Sequence, residues 1–169
     1  GAYVGFSGAL YSGYTWVGLA AGLGAGMFVS LFMVVLCVRL GLDQIVVGIA
    51  LTLAAEGLTS LLHGAILTER PRLGSVSLVT IPGLSEIPVL GRSLFSQHLV
   101  VYLTLGLVIL VSWMFRSTNA GLSLRAAGDK PSALDAAGVS VHGTRTWAVL
   151  ATGALGGLGG AYLSIVGAG

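Results

Sequence analysis

Apolar residues in this chain do not alternate with polar ones. They run on for about 18 residues or more at a stretch, long enough for a helix to cross a hydrocarbon core of roughly 30 Å. Four such runs, at about residues 14–38, 44–67, 98–115 and 145–167, are separated by clusters of charge, proline and glycine. A soluble helix of that length would carry a polar face. Residues 1–12 (GAYVGFSGALYS) read as the end of a further helix, turned by Ser12, Gly13 and Tyr14 into the first complete run. The pattern predicts an all-α, polytopic transmembrane helical bundle: four full spans with a partial one in front, all within one membrane domain over 1–169.

Two departures stand out inside the runs. Gly18, Gly22 and Gly26 recur every fourth residue, as do Gly153 and Gly157 and, in a second register, Gly156 and Gly160. Residues four apart share a helix face, and a face of glycines lets another backbone come close, so these are predicted packing seams. The second run carries a charge, Glu56, near its middle, where insertion of a carboxylate costs about 2.5 to 3.5 kcal/mol. At about 100° per residue, Thr52, Thr59, Ser60 and His63 fall within roughly 60° of it. Hydroxyls, a carboxylate and an imidazole on one stripe suit the lining of a hydrated path for a polyhydroxy or nitrogenous solute. The other reading is interhelical hydrogen bonding, with Glu56 protonated or paired. Glu56 and His63 as an acid–base or metal pair find no support, because HExxH, GxSxG and a further ligand at suitable spacing are missing. No catalytic residue, metal or cofactor is expected.

Composition agrees with lipid as the main solvent: 55% of residues are hydrophobic and 8% charged, with a mean hydropathy of +0.96, where soluble domains carry about 25% charge. The net charge of +2 is spread over loops, which argues against nucleic acid as a partner. Cys37 is the only cysteine; it excludes an intrachain disulfide and reads as a small apolar residue. Gly1 is not an initiator and no signal peptide follows it, while Gly169 falls in or just past an apolar run, so both ends are expected to be cuts through a longer protein.

The connections are unequal. Arg39 to Asp43 is tight and polar. Residues 68–97 open with TERPR, alternate through SVSLVTI as an extended segment, and break twice at Ile-Pro in IPGLSEIPVLG; a loop of that length is functional or packed on something. Arg39, Arg116, Arg125, Lys130 and Arg145 gather on one side of the bundle, and Arg70, Arg72 and Arg92 on the other. That excess places the 116–144 loop in the cytoplasm and 68–97 outside. Within the cytoplasmic loop, Asp129 or Lys130 is expected to cap a short helix of about two turns, with Pro131 in its first turn and Gly138 as a left-handed stop. Its small residues Ala133, Ala136 and Ala137, flanked by Arg125 and Asp135, make a knob shaped for a groove on another protein.

Three stretches resemble the permeases of binding-protein-dependent ABC importers that serve branched-chain amino acids, ribose-type sugars and nucleosides. GLSLRAAGDKPSALDAAGVSV, followed by a Gly-rich span, is similar to the family's ATPase-contacting loop. RLGLDQIVVGIALTLAAEGLTSLL is similar to a family segment that enters its span through a short polar turn. IPGLSEIPVLGRSLF is similar to the outer loop of the nucleoside and simple-sugar branch. The resemblance implies a cytosolic ABC ATPase, a second permease subunit, homologous or identical, and an extracytoplasmic solute-binding protein, all at a bacterial inner membrane. Arg125, Gly128, Asp129, Pro131, Ala133, Asp135, Ala136 and Gly138 would form the coupling element. ATP chemistry would belong to the partner, since the chain has no GxxxxGK[ST] loop. Nucleosides are expected ahead of simple sugars, with branched-chain amino acids and heterocycles such as riboflavin behind. The alternatives are an ion-coupled secondary transporter, with Glu56 as relay, and a structural membrane subunit that transports nothing.

Overall fold

The computed structural model describes residues 1–66, 78–80 and 96–167. The bundle is all-α. Helix α1 (Ala2–Ser12) stops where Gly13 takes a left-handed conformation (φ 71°) and its amide donates to Ala9 O at 3.0 Å. The chain reverses through extended Tyr14 into α2 (Thr15–Met33), which continues as a π-helical turn, Val34–Arg39. After Gly41 (φ 68°), α3 (Gln44–Ile66) returns. Leu78–Thr80 (β1) and Ser96–His98 (β2) pair antiparallel, Val79 opposite Gln97. The alternating SVSLVTI stretch meets this ribbon at β1; the rest of the 68–97 loop, with TERPR and both Ile-Pro breaks, lies outside the described residues. Helix α4 (Leu99–Ser117) follows, then α5 (Asn119–Asp129), α6 (Pro131–Ala136) and α7 (Val141–Gly167). Helices α2 with its π turn, α3, α4 and α7 are each long and apolar enough to cross a membrane.

The bundle closes around α1, α2 and α7. A methyl carbon on Gly18 would lie 2.6 Å from Gly5 O and 2.7 Å from Ala9 Cβ of α1; one on Gly26 would strike Gly153 O and come within 2.7 Å of Gly157 Cα of α7. Gly22 sits between, against Ala161 and Gly157. The α2 glycines therefore serve two neighbours. Residues four apart drift by about 40° around a helix, so the seam starts on α1 and ends on α7. From α7, Gly153 and Gly157 face this seam, Gly160 approaches Ala2 of α1, and Gly156 meets nothing within 4 Å.

A small apolar core joins the same elements toward one end: Ala9, Leu19, Ala161 and Ile165, with Val100 from the start of α4. Tyr11, Tyr14 and Trp16 are exposed at that end, as amphipathic rings are at a headgroup boundary. Helix α3 is held more loosely. Gly48, Gly57 and Gly64 each have nothing within 4 Å of an added methyl, and the tie from α1 is Tyr3 Oη donating to Leu62 O at 3.1 Å.

Candidate functional site: a polar groove and a two-helix knob

The groove begins with how α3 is launched. Asp43 Oδ1 accepts the amides of Ile45 (2.8 Å) and Val46 (3.4 Å), and Asp43 O accepts that of Val47. Two of the first orphan donors are thereby satisfied and the helix phase is set from its first residue. That phase turns Thr52, Glu56, Thr59 and Ser60 into one groove of 590 Å³, whose opposite wall is Ala2 and Tyr3 of α1 and Val29 of α2. His63, on the same helical stripe, is exposed and lies outside the groove lining. Thr52 Oγ1 donates to Gly48 O at 2.9 Å, which uses its one hydrogen and leaves the oxygen able to accept. Among the described residues nothing hydrogen-bonds or pairs with the Glu56 carboxylate. The size falls in the 300–1,000 Å³ range typical of small-molecule sites, and apolar walls with a few polar groups are their usual lining.

The knob connects α4 to α7. Thr118 makes the break after α4: its hydroxyl donates to Met114 O at 2.6 Å and accepts the Gly121 amide at 3.2 Å, capping α5. A methyl on Gly121 would strike Met114 O and lie 2.6 Å from Phe115 Cα, so α5 turns back against the end of α4 instead of extending away from it. Arg125 stacks on Phe115, with its guanidinium carbon 5.9 Å from the ring centre. The connection therefore holds two helices, α5 and α6, where the sequence predicts one short helix. Residues Asn119–Asp129 read as loop because two glycines lower their propensity, and a cap and a close backbone approach restore it.

Helix α6 is capped differently from expectation. Lys130 occupies the cap position and neither its side chain nor that of Asp129 makes a capping bond; Lys offers no acceptor, and Asp129 is already the last residue of α5. Its backbone does the work, with Lys130 O accepting from Ala133 N at 3.1 Å, and Pro131 follows at the first position. The end is a complete Schellman pattern: Gly138 (φ 78°) donates to Asp135 O at 2.9 Å and Val139 to Leu134 O at 3.2 Å. Leu134 is buried with Ala127 of α5 and Val141 of α7. That leaves Ala133, Asp135 and Ala136 exposed on the outer surface, with Arg125, Gly128 and Asp129 exposed on α5.

The sequence gives no site role to Thr118, Gly121, Ala127 and Leu134, and it marks Arg145 only as part of the charge bias. Only Thr118 carried a local signal, a cap residue just past an apolar run. Among the described residues, no group of three or more His, Cys, Asp or Glu side chains is placed to hold a metal ion.

A model of the permease component of branched-chain amino acid transport systems matches residues 1–167. A guanosine ABC transporter permease of Bacillus subtilis is 36% identical over 154 residues, 86% of this chain and 47% of the relative. A candidate glucose ABC transporter permease of Haloferax volcanii is 32% identical over 170 residues, 98% and 51%. A nucleoside ABC transporter permease of Lactococcus lactis is 33% identical over 150 residues, 86% and 47%. The chain thus spans about half the length of these curated relatives. No solved structure matches it.

Proposed function

This chain belongs to the permease component family of branched-chain amino acid transport systems, and from that premise we propose that it forms part of the solute pathway of an ABC importer in a prokaryotic cytoplasmic membrane. A separate ATPase docks on α6, a second permease subunit completes the pathway, and a binding protein delivers solute near residues 68–97. The observation that carries the reading is the knob. A six-residue helix with both ends defined, anchored by Leu134 and presenting Ala133, Asp135 and Ala136, is a rigid surface for a partner. A passive linker needs neither a Schellman stop nor a buried anchor.

Nucleotide-driven closure of the partner would displace α6 as a unit, and the spans on either side of it would follow. The solute is a nucleoside or a simple sugar, in keeping with relatives named for guanosine, nucleoside and glucose transport. Its ring and hydroxyls match the hydroxyls and carboxylate of the α3 groove in size and polarity. The alternative of bacterial or archaeal origin does not change the reading, since the relatives come from both.

Ala136→Trp places a bulky ring on the docking surface without touching a buried side chain. In the assembled transporter it is expected to leave the permease folded and to reduce solute-stimulated ATP hydrolysis and uptake by about tenfold or more, as loss of an interface hot spot does. Stimulation equal to the unmodified transporter would sink the docking reading.

A further inference from the structure

Ala127 carries a carbonyl that the chain beside it cannot satisfy. In a continuing helix it would accept from the amide four residues on, but that residue is Pro131, which has no amide hydrogen. Lys130 N–H donates to Ala126 O at 2.9 Å, so Ala127 O is left open at the negative end of α5. The missing donor comes from another helix: Arg145 Nη2, in the second turn of α7, donates to Ala127 O at 3.0 Å across a separation of 18 residues. The proline that starts α6 thus creates a demand that Arg145 meets.

The remaining ties between these helices are apolar. Ala127, Leu134 and Val141 resist separation, but apolar contact is non-directional and permits sliding. A charged donor on a fixed carbonyl defines an angle as well as a distance. Beyond this tie, an open cleft of 420 Å³, bordered by Arg145 itself, separates Leu124 and Gly128 of α5 from Met33 of α2, Cys37 of its π turn and Gln44 of α3. The knob is fastened on the α7 side and free on the α2 side.

We infer that Arg145 is a positioning residue for coupling: it pins the break between α5 and α6 to the cytoplasmic end of α7. Displacement of α6 then enters the membrane through α7 and passes to α2 across the glycine contact. This rests on the docking role of α6 proposed above.

The experiment uses the full-length assembled transporter with a cysteine at exposed Ser132 of α6 (Ser132→Cys), cross-linked to the ATPase to report docking. Arg145→Met keeps most of the stem and removes the donor; Arg145→Lys restores a charged donor. Arg145→Met is expected to keep the cross-link and basal ATP hydrolysis while solute-stimulated hydrolysis and uptake fall together by at least about fivefold, the lower end of coupling between sites. Arg145→Lys is expected to retain measurably more of both than Arg145→Met. Undiminished stimulation in Arg145→Met overturns the inference. So do equal losses in the two variants, or an uptake loss no larger than the loss of folded permease or of cross-link. Absence of the cross-link with native Arg145 would remove the docking role itself, a separate failure visible before any Arg145 variant is made.

Discussion

Glycine does opposite things on the two sides of α2. Toward α7, Gly26 and Gly157 bring backbone onto backbone, and a methyl on Gly157 would lie 2.8 Å from Gly26 Cα. Toward α3 the same helix leaves space: Val29 is one wall of the 590 Å³ polar groove, and Val29 and Ser30 border a second groove of 570 Å³ that runs to Gly48 and Thr152. One interface is backbone on backbone at Gly26 and Gly157, with the second groove along its edge, and the other is open to a solute-sized volume. In lipid, where apolar surface gains nothing by association, close packing is what holds helices together. The α2–α7 pair therefore behaves as one body. Helix α3, tied by Tyr3 and launched by Asp43, is the element free to line a path or to shift.

Substitutions on the two sides separate these roles. The largest effect is expected from Gly157→Leu, since no rotation frees a side chain from the α2 backbone; about 3 kcal/mol or more of stability should be lost, seen as a collapse in the yield of monodisperse protein in detergent. A normal yield would mean that the contact is not what binds α2 to α7. Glu56→Gln should act on the other side and on another observable: uptake at low solute falls about tenfold, equivalent to roughly 1.4 kcal/mol, with thermal stability unmoved. Unchanged solute affinity would remove the carboxylate from the path. The smallest effect belongs to Gly57→Ala. Nothing lies within 4 Å of the added methyl, so stability should hold or rise by up to about 1 kcal/mol from helix propensity, read from thermal melts; a clear loss of stability would mean that α3 packs there after all.

The spans are legible in the sequence because lipid tolerates little else, and their ends are the soft part. Helix α7 starts at Val141, four residues before the predicted Arg145, because Thr144 N–H donates to Ser140 O at 3.1 Å and the polar residues between continue the helix. The polar stripe is also legible, since its phase is internal to α3. Its opposite wall is not: Tyr3 and Val29 carry no mark of facing Thr59. The same limit explains α5, whose stability comes from Gly121 meeting Met114, and explains why His63 reads as part of the stripe while the groove passes it by. The glycine spacing predicts a seam without revealing that two helices share it.

The π-helical turn at Val34–Arg39 has a consequence for winding. Along α2, residues 18, 22, 26, 30 and 34 trace a ridge that creeps forward by about 40° at each step of four. Unchecked, that creep would carry the helix end away from the face its glycines present to α7. The π turn, with Leu40 N–H donating to Val35 O at 3.1 Å, fits more residues into each turn and runs the creep backward. Val34, where the turn begins, is buried, and past it Cys37 and Val38 border the cleft beside α5. A single overfilled turn thus resets the azimuth of α2, letting one helix meet α1 and α7 along its length and face α5 at its end.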